Sequence, residues 1–73
     1  MPQVEHPSAA VERALAVMES VAERSAGMSN AELHRKLKIP KSSASYILRT
    51  LVKAGYLRRD AETGKYRIGL KVV

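Results

Sequence analysis

The shortest connection in this sequence limits the fold more than any other feature. Leu37 ends one apolar helical stripe and Lys41 begins the next segment, with only Lys38, Ile39 and Pro40 between them. Proline has a fixed φ and no backbone N–H, so it breaks a helix interior but suits a helix start. The sequence therefore predicts two separate helices joined by a tight turn.

Capping patterns and apolar spacing define these two helices. Ser29 and Glu32 have the S-x-x-E spacing of a capping box, which predicts a helix that starts at Asn30. The next helix is predicted over residues 41–54, followed by Gly55, a residue typical of helix C-termini. Helical periodicity gives this helix a core face and an opposite, outward face. The core face is Ala44, Ile47, Leu48 and Leu51, and the outward face is Ser42, Tyr46, Arg49 and Lys53.

An earlier amphipathic segment predicts another helix, with Ser8 as its N-cap. The segment should end between Ser25 and Gly27. Its apolar residues recur at helical spacing, so we expect a buried face made of Val11, Ala14, Leu15, Met18, Val21 and Ala22. The sequence thus predicts three helices, the last two in the order of a helix-turn-helix unit.

The final segments have the pattern of a β-hairpin, with a glycine-containing turn at residues 61–64. A register in which Leu57 and Ile68 both face the core places Arg58 opposite Arg67 on the outer face. Directly opposed like charges are unfavourable in a strand pair. We therefore expect something negative outside the protein to lie against this face.

Length and composition indicate one small domain. We expect a mainly α fold with a small β-hairpin, a winged helix-turn-helix, over residues 8–69, preceded by a disordered tail at residues 1–7. With no cysteine, and histidine only at His6 and His34, we expect no disulfide, no metal site and no cofactor. No segment resembles a membrane span or a signal peptide, so we expect a soluble cytoplasmic protein.

The positive charge is concentrated in the second half of the chain. The 73 residues include 13 basic and 7 acidic side chains, a formal charge of +6. Residues 1–33 contain two basic and five acidic residues, a charge of −3, whereas residues 34–73 contain eleven basic and two acidic residues, a charge of +9. A localised basic surface is typical of polyanion-binding domains, although a solvated, solubilising surface has the same composition.

The helix after Pro40 has side chains suited to reading DNA. The major groove of B-DNA admits an α-helix, and small hydroxyl side chains on its first turn permit close approach to the bases. We predict base contacts from Ser42, Ser43, Ser45, Tyr46 and Arg49. We predict phosphate contacts, on this helix and the wing, from Lys41, Lys53, Arg58, Arg59, Lys65 and Arg67.

Three motifs carry a family resemblance: IPKSSA at the start of the predicted recognition helix, LVKAGYL at its exit, and RDAETGKYRIG in the wing. Together with VERALAVMESVAE, they make residues 10–72 similar to the N-terminal winged helix-turn-helix domain of the IclR family of bacterial transcription regulators. The resemblance implies a repressor or activator that binds operator DNA as a homodimer, with part of the first helix at the dimer surface. It also implies a following domain that senses a small-molecule effector, with its linker starting at residues 70–73.

The sequence departs from the family pattern in three places. Ser45 and Tyr46 stand where the family often has His-Arg, so the operator preference cannot be inherited. Lys38 replaces a glycine common between the second and third helices, which requires a left-handed lysine or a different turn. The sequence ends at Val73, where the family's linker helix begins.

Other functions fit the sequence less well. Catalysis is not expected, because there is no cysteine, paired carboxylate cluster or glycine-rich phosphate loop. A winged helix that binds proteins should have an acidic or apolar third helix in place of PKSSASY. A reader of Z-form nucleic acid should have Asn and Tyr at the positions of Ser45 and Arg49, and a proline-aromatic wing.

Overall fold

The computed structural model describes residues 8–69, so the predicted tail at residues 1–7 and linker at residues 70–73 lie outside the described residues. Three helices are followed by an antiparallel two-stranded hairpin, which confirms the winged helix-turn-helix architecture. The elements are α1 (Ala9–Ala22), α2 (Asn30–Leu37), α3 (Lys41–Ala54), β1 (Leu57–Arg59) and β2 (Tyr66–Ile68). Within residues 8–69, none of the helices has the length and hydrophobicity needed to cross a bilayer.

The capping box predicted for α2 is present. The Glu32 backbone N–H donates to Ser29 Oγ at 3.1 Å, and the Ser29 N–H donates to Glu32 Oε1 at 2.9 Å. At the other end, Lys38 closes the helix in the left-handed conformation, with φ 56° and ψ 43°. Of the two ways to accommodate a lysine at this turn, the chain adopts the left-handed one. His34 also binds the turn, because its Nδ1 lies 3.1 Å from the carbonyl oxygen of Ile39.

Helix α3 has the predicted limits and the predicted core face. Pro40 precedes it, and Gly55 ends it with a φ of 90°. On the core face Ala44, Ile47 and Leu48 are buried, while Leu51 is half-buried. The core is completed by residues of α1, α2, β1 and the two connections between helices: Val17, Val21, Met28, Leu33, Ile39 and Leu57. The outward face of α3 is therefore held in place by packing on its opposite side.

The buried face predicted for α1 is partly wrong. Val11 and Leu15 are each 57% exposed, and Ala22 is exposed. Val17 and Ser20 are buried instead, while the predicted residues Val21, Ala14 and Met18 do contribute to the core or pack against it. Apolar residues cover more of α1 than one face, so spacing alone did not identify the side that packs. The helix also ends at Ala22, before the predicted residues 25–27.

The wing has the predicted register, with Leu57 paired to Ile68 and Arg58 to Arg67.

The wing is also held to the helices by a backbone bridge that the sequence did not predict. Met28, in the α1–α2 connection, forms an antiparallel bridge with Tyr66 through N–H···O bonds of 3.0 and 2.7 Å. Gly27 makes this approach possible: its φ is 82°, and a Cβ atom there would lie 2.3 Å from the Tyr66 carbonyl oxygen. The bridge fixes the wing against the helical core.

Candidate nucleic-acid interface

The outward crest of α3 presents polar and basic side chains to solvent. Ser42, Tyr46, Arg49 and Lys53 are all exposed there, and Tyr46 is the most open of the large hydrophobic side chains at 67%. Lys41 is exposed at the start of the helix. The predicted site residues of α3 fall into three groups: those on the crest, those on the flank that faces the wing, and those on the flank that faces α1.

On the wing side, α3 and the hairpin enclose an open cleft. Its walls are Ser45, Arg49, Val52, Arg59 and Tyr66. The structure therefore brings together two predicted base-contacting residues, Ser45 and Arg49, and one predicted phosphate-contacting residue, Arg59. Arg59 extends toward the wing turn, because one of its guanidinium nitrogens lies 3.4 Å from where a Cβ atom on Gly64 would be.

On the other side, Ser43 and Tyr46 face a groove shared with α1. Apolar residues of both helices form much of this groove, including Val11, Ala14, Ile47 and Leu51. Ser43 is half-buried there, and Thr50 lies beside it on the same flank of α3. The five predicted base-contacting residues are thus spread over about half of the helix circumference rather than gathered in one cluster.

Three arginines of the wing, Arg58, Arg59 and Arg67, surround a shallow pocket together with Asp60. The Asp60 carboxylate accepts the backbone N–H groups of Glu62 at 2.8 Å and Thr63 at 3.3 Å. These two bonds, followed by the positive charge of Arg67, lower the pKa of Asp60. The carboxylate therefore serves to hold the turn and stays ionised at neutral pH.

Lys65 occupies a different environment from the other wing cations. It is half-buried, whereas Arg58 and Arg67 are exposed. The pKa of Glu32 is lowered, first by the hydrogen bond from the Ser29 N–H and then by the positive charges of Lys65 and Arg24. The ammonium group of Lys65 thus acts on the start of α2, at the inner side of the wing.

The ion pairs formed within residues 8–69 leave the cations of α3 and the wing unpaired. Arg24 contacts Glu32 at 3.3 Å, and Lys36 contacts Glu23 at 2.9 Å. Both pairs join the α1 end to α2, so two acidic residues are neutralised away from α3. Positive potential is consequently displayed on α3 and the wing, and also at the exposed Arg35 and Lys38. No cluster of three or more His, Cys, Asp or Glu side chains suited to a metal ion occurs within these residues.

Asn30 contacts a predicted site residue in a way that sequence reasoning missed. Its side-chain amide nitrogen donates to Ser45 Oγ, across the helix-turn-helix from α2 to α3. Asn30 Oδ1 is buried and has no hydrogen-bond partner in the described part of the chain. The capping box identified Asn30 as the first residue of α2, but no sequence pattern links it to a hydroxyl fifteen residues later.

Comparison with known proteins identifies the domain. The family model described as the IclR helix-turn-helix domain matches residues 10–61. The chain is 33% identical over 63 residues to the HTH-type transcriptional regulator XynR of Escherichia coli (strain K12), a match covering 86% of this chain and 25% of that protein.

Two solved structures share both fold and sequence with the chain. An IclR family transcriptional regulator from Brucella abortus superposes with a TM-score of 0.82 at 31% identity, over 92% of this chain and 25% of that one. The Agobacterium tumefaciens repressor BlcR gives 0.76 at 33% identity, over 86% of this chain and 25% of that one. This chain thus spans about a quarter of the length of these relatives. From its family match and its three helices and wing, the chain belongs to the IclR helix-turn-helix family, as a DNA-binding domain of the transcriptional-regulator type.

Proposed function

We propose that this domain binds double-stranded operator DNA sequence-specifically, with α3 in the major groove and the wing, residues 56–68, on the flanking backbone. The observation that carries the proposal is that the crest of α3 and the outer face of the wing both expose basic side chains that form no ion pair within residues 8–69, with hydroxyls beside them on α3. An α-helix whose inner side is fixed by a core can enter the major groove with its outer side chains against the bases.

The proposed contacts divide by position. Base contacts come from Ser42, Tyr46 and Arg49 on the crest, with Ser43 and Ser45 at its two flanks. Phosphate contacts come from Lys41, Lys53, Arg58, Arg59, Lys65 and Arg67. The start of α3 adds to them: Pro40 supplies no side-chain cap, so the first N–H groups of the helix are available to a phosphate.

The relatives extend the proposal to the intact regulator. XynR and BlcR are named as a transcriptional regulator and a repressor. We infer that two copies of this domain read an inverted repeat in the cytoplasm, as parts of a homodimer whose other domain binds a small-molecule effector. The half-site centres should then lie about 34–36 Å apart, or a multiple of that spacing.

The experiment that tests DNA binding is a fluorescence-anisotropy titration of the 73-residue chain with a pool of random duplexes at several salt concentrations. With about four to six phosphates contacted, the logarithm of the affinity should fall with the logarithm of salt at a slope of about −3.5 to −5.5. Arg24→Ala, whose side chain pairs with Glu32 away from α3, is the matched control for loss of one cation and should leave that slope unchanged.

The alternative is a protein-binding winged helix. A chain that binds no duplex at low salt, yet binds a folded acidic protein with weak salt dependence, would support this alternative and contradict the proposal.

A further inference from the structure

Asn30 and Ser45 form a polar contact between the two helices of the helix-turn-helix. Asn30 is the first residue of α2, and Ser45 lies in the second turn of α3 on the flank that faces the wing. Both side chains are half-buried, and the amide nitrogen of Asn30 donates to the hydroxyl oxygen of Ser45. The bond therefore joins a residue outside the proposed DNA surface to one within it.

The direction of this hydrogen bond determines what the hydroxyl can do. A serine hydroxyl has one proton to donate and two lone pairs that accept. Because Asn30 occupies a lone pair, the proton of Ser45 is not used in this contact. A serine inside a helix commonly donates its proton to the carbonyl oxygen four residues earlier, which for Ser45 is that of Lys41. This carbonyl would compete with any acceptor on bound DNA. A fixed hydroxyl oxygen restricts where the proton can point.

The cleft beside α3 contains a suitable environment for an acceptor. Ser45 lines this cleft with Arg49 and Arg59, which bring two positive charges to its walls. A group that enters a cleft lined by two arginines and accepts a serine proton is electron-rich, as phosphate oxygens and the purine acceptors of the major groove are.

The bond to Ser45 satisfies the amide nitrogen of Asn30 but not its amide oxygen. Its Oδ1 atom is buried without a partner among residues 8–69, and an unsatisfied buried carbonyl destabilises a fold. We propose that Asn30 is a positioning residue, whose amide holds the Ser45 hydroxyl so that its proton is donated to a hydrogen-bond acceptor on bound DNA. This inference rests on the proposed DNA-binding function.

The test is a double-mutant cycle on DNA affinity, using a duplex selected from the random pool by the 73-residue chain. Asn30→Ala and Ser45→Ala should each weaken binding about five- to tenfold, the value of one hydrogen bond. The double variant should bind no more weakly than Ser45→Ala alone, because Asn30 acts through Ser45. The midpoint of thermal unfolding should stay unchanged or rise in Asn30→Ala, which a purely structural role would not produce.

Two further variants keep the cycle interpretable. Ser43→Ala, on the opposite flank of α3, should combine additively with Asn30→Ala. Asn30→Asp keeps the shape of the side chain and cannot donate through an amide, so it replaces Asn30→Ala if the latter does not fold. Its added negative charge is accounted for by comparing it in the presence and absence of Ser45→Ala.

Each outcome decides a different point. An equal loss on selected and random duplexes supports the inference with a phosphate oxygen as the acceptor, and a loss on the selected duplex alone supports it with a base edge. Normal binding by Ser45→Ala, or an undiminished effect of Asn30→Ala in the Ser45→Ala background, would overturn it while leaving DNA binding intact. A parent chain that binds no duplex would remove the proposed function itself.

Discussion

Arg58 lies directly across the wing ladder from Arg67, so two guanidinium groups share the outer face of a hairpin with only three residues in each strand. Directly opposed like charges weaken a strand pair. Asp60 is close by, but its carboxylate is engaged by the backbone of the turn. The pairing is unfavourable for the isolated hairpin, and in the proposed complex the phosphate backbone would offset the repulsion. Wing stability and DNA affinity should therefore respond to this pair in opposite directions.

Arg58→Glu should separate these two properties. A glutamate opposite Arg67 should stabilise the domain by about 0.2–1 kcal/mol and weaken binding to every duplex, with a shallower salt slope. Thermal unfolding and anisotropy measure the two effects. Arg58→Gln, which removes the repulsion without adding a negative charge, should fall between the parent and Arg58→Glu in both. Stability and affinity that fall together would contradict this account of the wing.

Gly27→Ala should be strongly destabilising. A left-handed alanine costs about 1–2 kcal/mol, and its Cβ would collide with the Tyr66 carbonyl, so the bridge from Met28 should also be lost. We expect a total loss of about 2–4 kcal/mol in the free energy of unfolding, measured by denaturant titration.

Gly64→Ala is the matched control for Gly27→Ala. Its φ of 75° is similar, but the nearest atom to the added Cβ is a flexible arginine end at 3.4 Å. Gly64→Ala should therefore lower the free energy of unfolding only by the cost of a left-handed alanine, about 1–2 kcal/mol. Equal losses at the two glycines would mean that the bridge contributes nothing.

Lys38→Gly should stabilise the domain by about 1 kcal/mol, because it relieves a left-handed backbone at a residue with a Cβ atom. Lys38→Ala keeps the Cβ atom and the strain, so its stability should stay close to that of the parent. Chemical denaturation of the three proteins measures the effect. A gain in Lys38→Ala equal to that in Lys38→Gly would assign the benefit to removal of the lysine charge.

Glu32 should make folding stability depend on acid pH. Its folded-state pKa is lowered from the ordinary value of 4.5, chiefly by the Ser29 N–H, so the carboxylate form favours the folded state. This contribution to stability is complete above pH 4.5 and is lost as the pH falls through the lower folded-state pKa of Glu32. Thermal unfolding should therefore show Glu32→Gln less stable than the parent near neutral pH, with the gap closing in acid. Asp60 titrates similarly in both proteins and cancels from this comparison.

Arg49→Ala should reveal whether the crest of α3 reads sequence. If Arg49 pairs with guanine, its loss should cost about 1–3 kcal/mol at one base position and relax the preference there. Competition anisotropy with single-base variants of a selected duplex measures this. Equal losses on selected and random DNA would show that Arg49 contacts a phosphate instead.

Local signals were sufficient to predict the second half of the fold. Ser29 and Glu32 identified the start of α2, Pro40 and Gly55 set the limits of α3, and alternation gave the wing register from Leu57 to Ile68. Each of these signals depends on residues close in sequence or on a strict period, so few alternatives compete. The same periodicity predicted which side of α3 faces outward.

Contacts between distant segments could not be predicted in the same way. Val11 and Leu15 have the spacing of a buried face, yet the small core packs against Val17 and the opposite flank of α1. The bridge from Met28 to Tyr66 involves a single residue pair, so no alternating sequence pattern predicts it. The bond from Asn30 to Ser45 depends on how α2 crosses α3, which spacing within either helix does not specify.

The bridge between Met28 and Tyr66 also has a consequence for exchanging wings between regulators. A transplanted segment of residues 57–68 would carry both strands but leave behind the backbone that holds the second one. The smallest transferable unit therefore includes residues 27–28 of the donor. A chimera with both segments should protect the Tyr66 amide from hydrogen exchange as strongly as the parent does, and one with the hairpin alone should not.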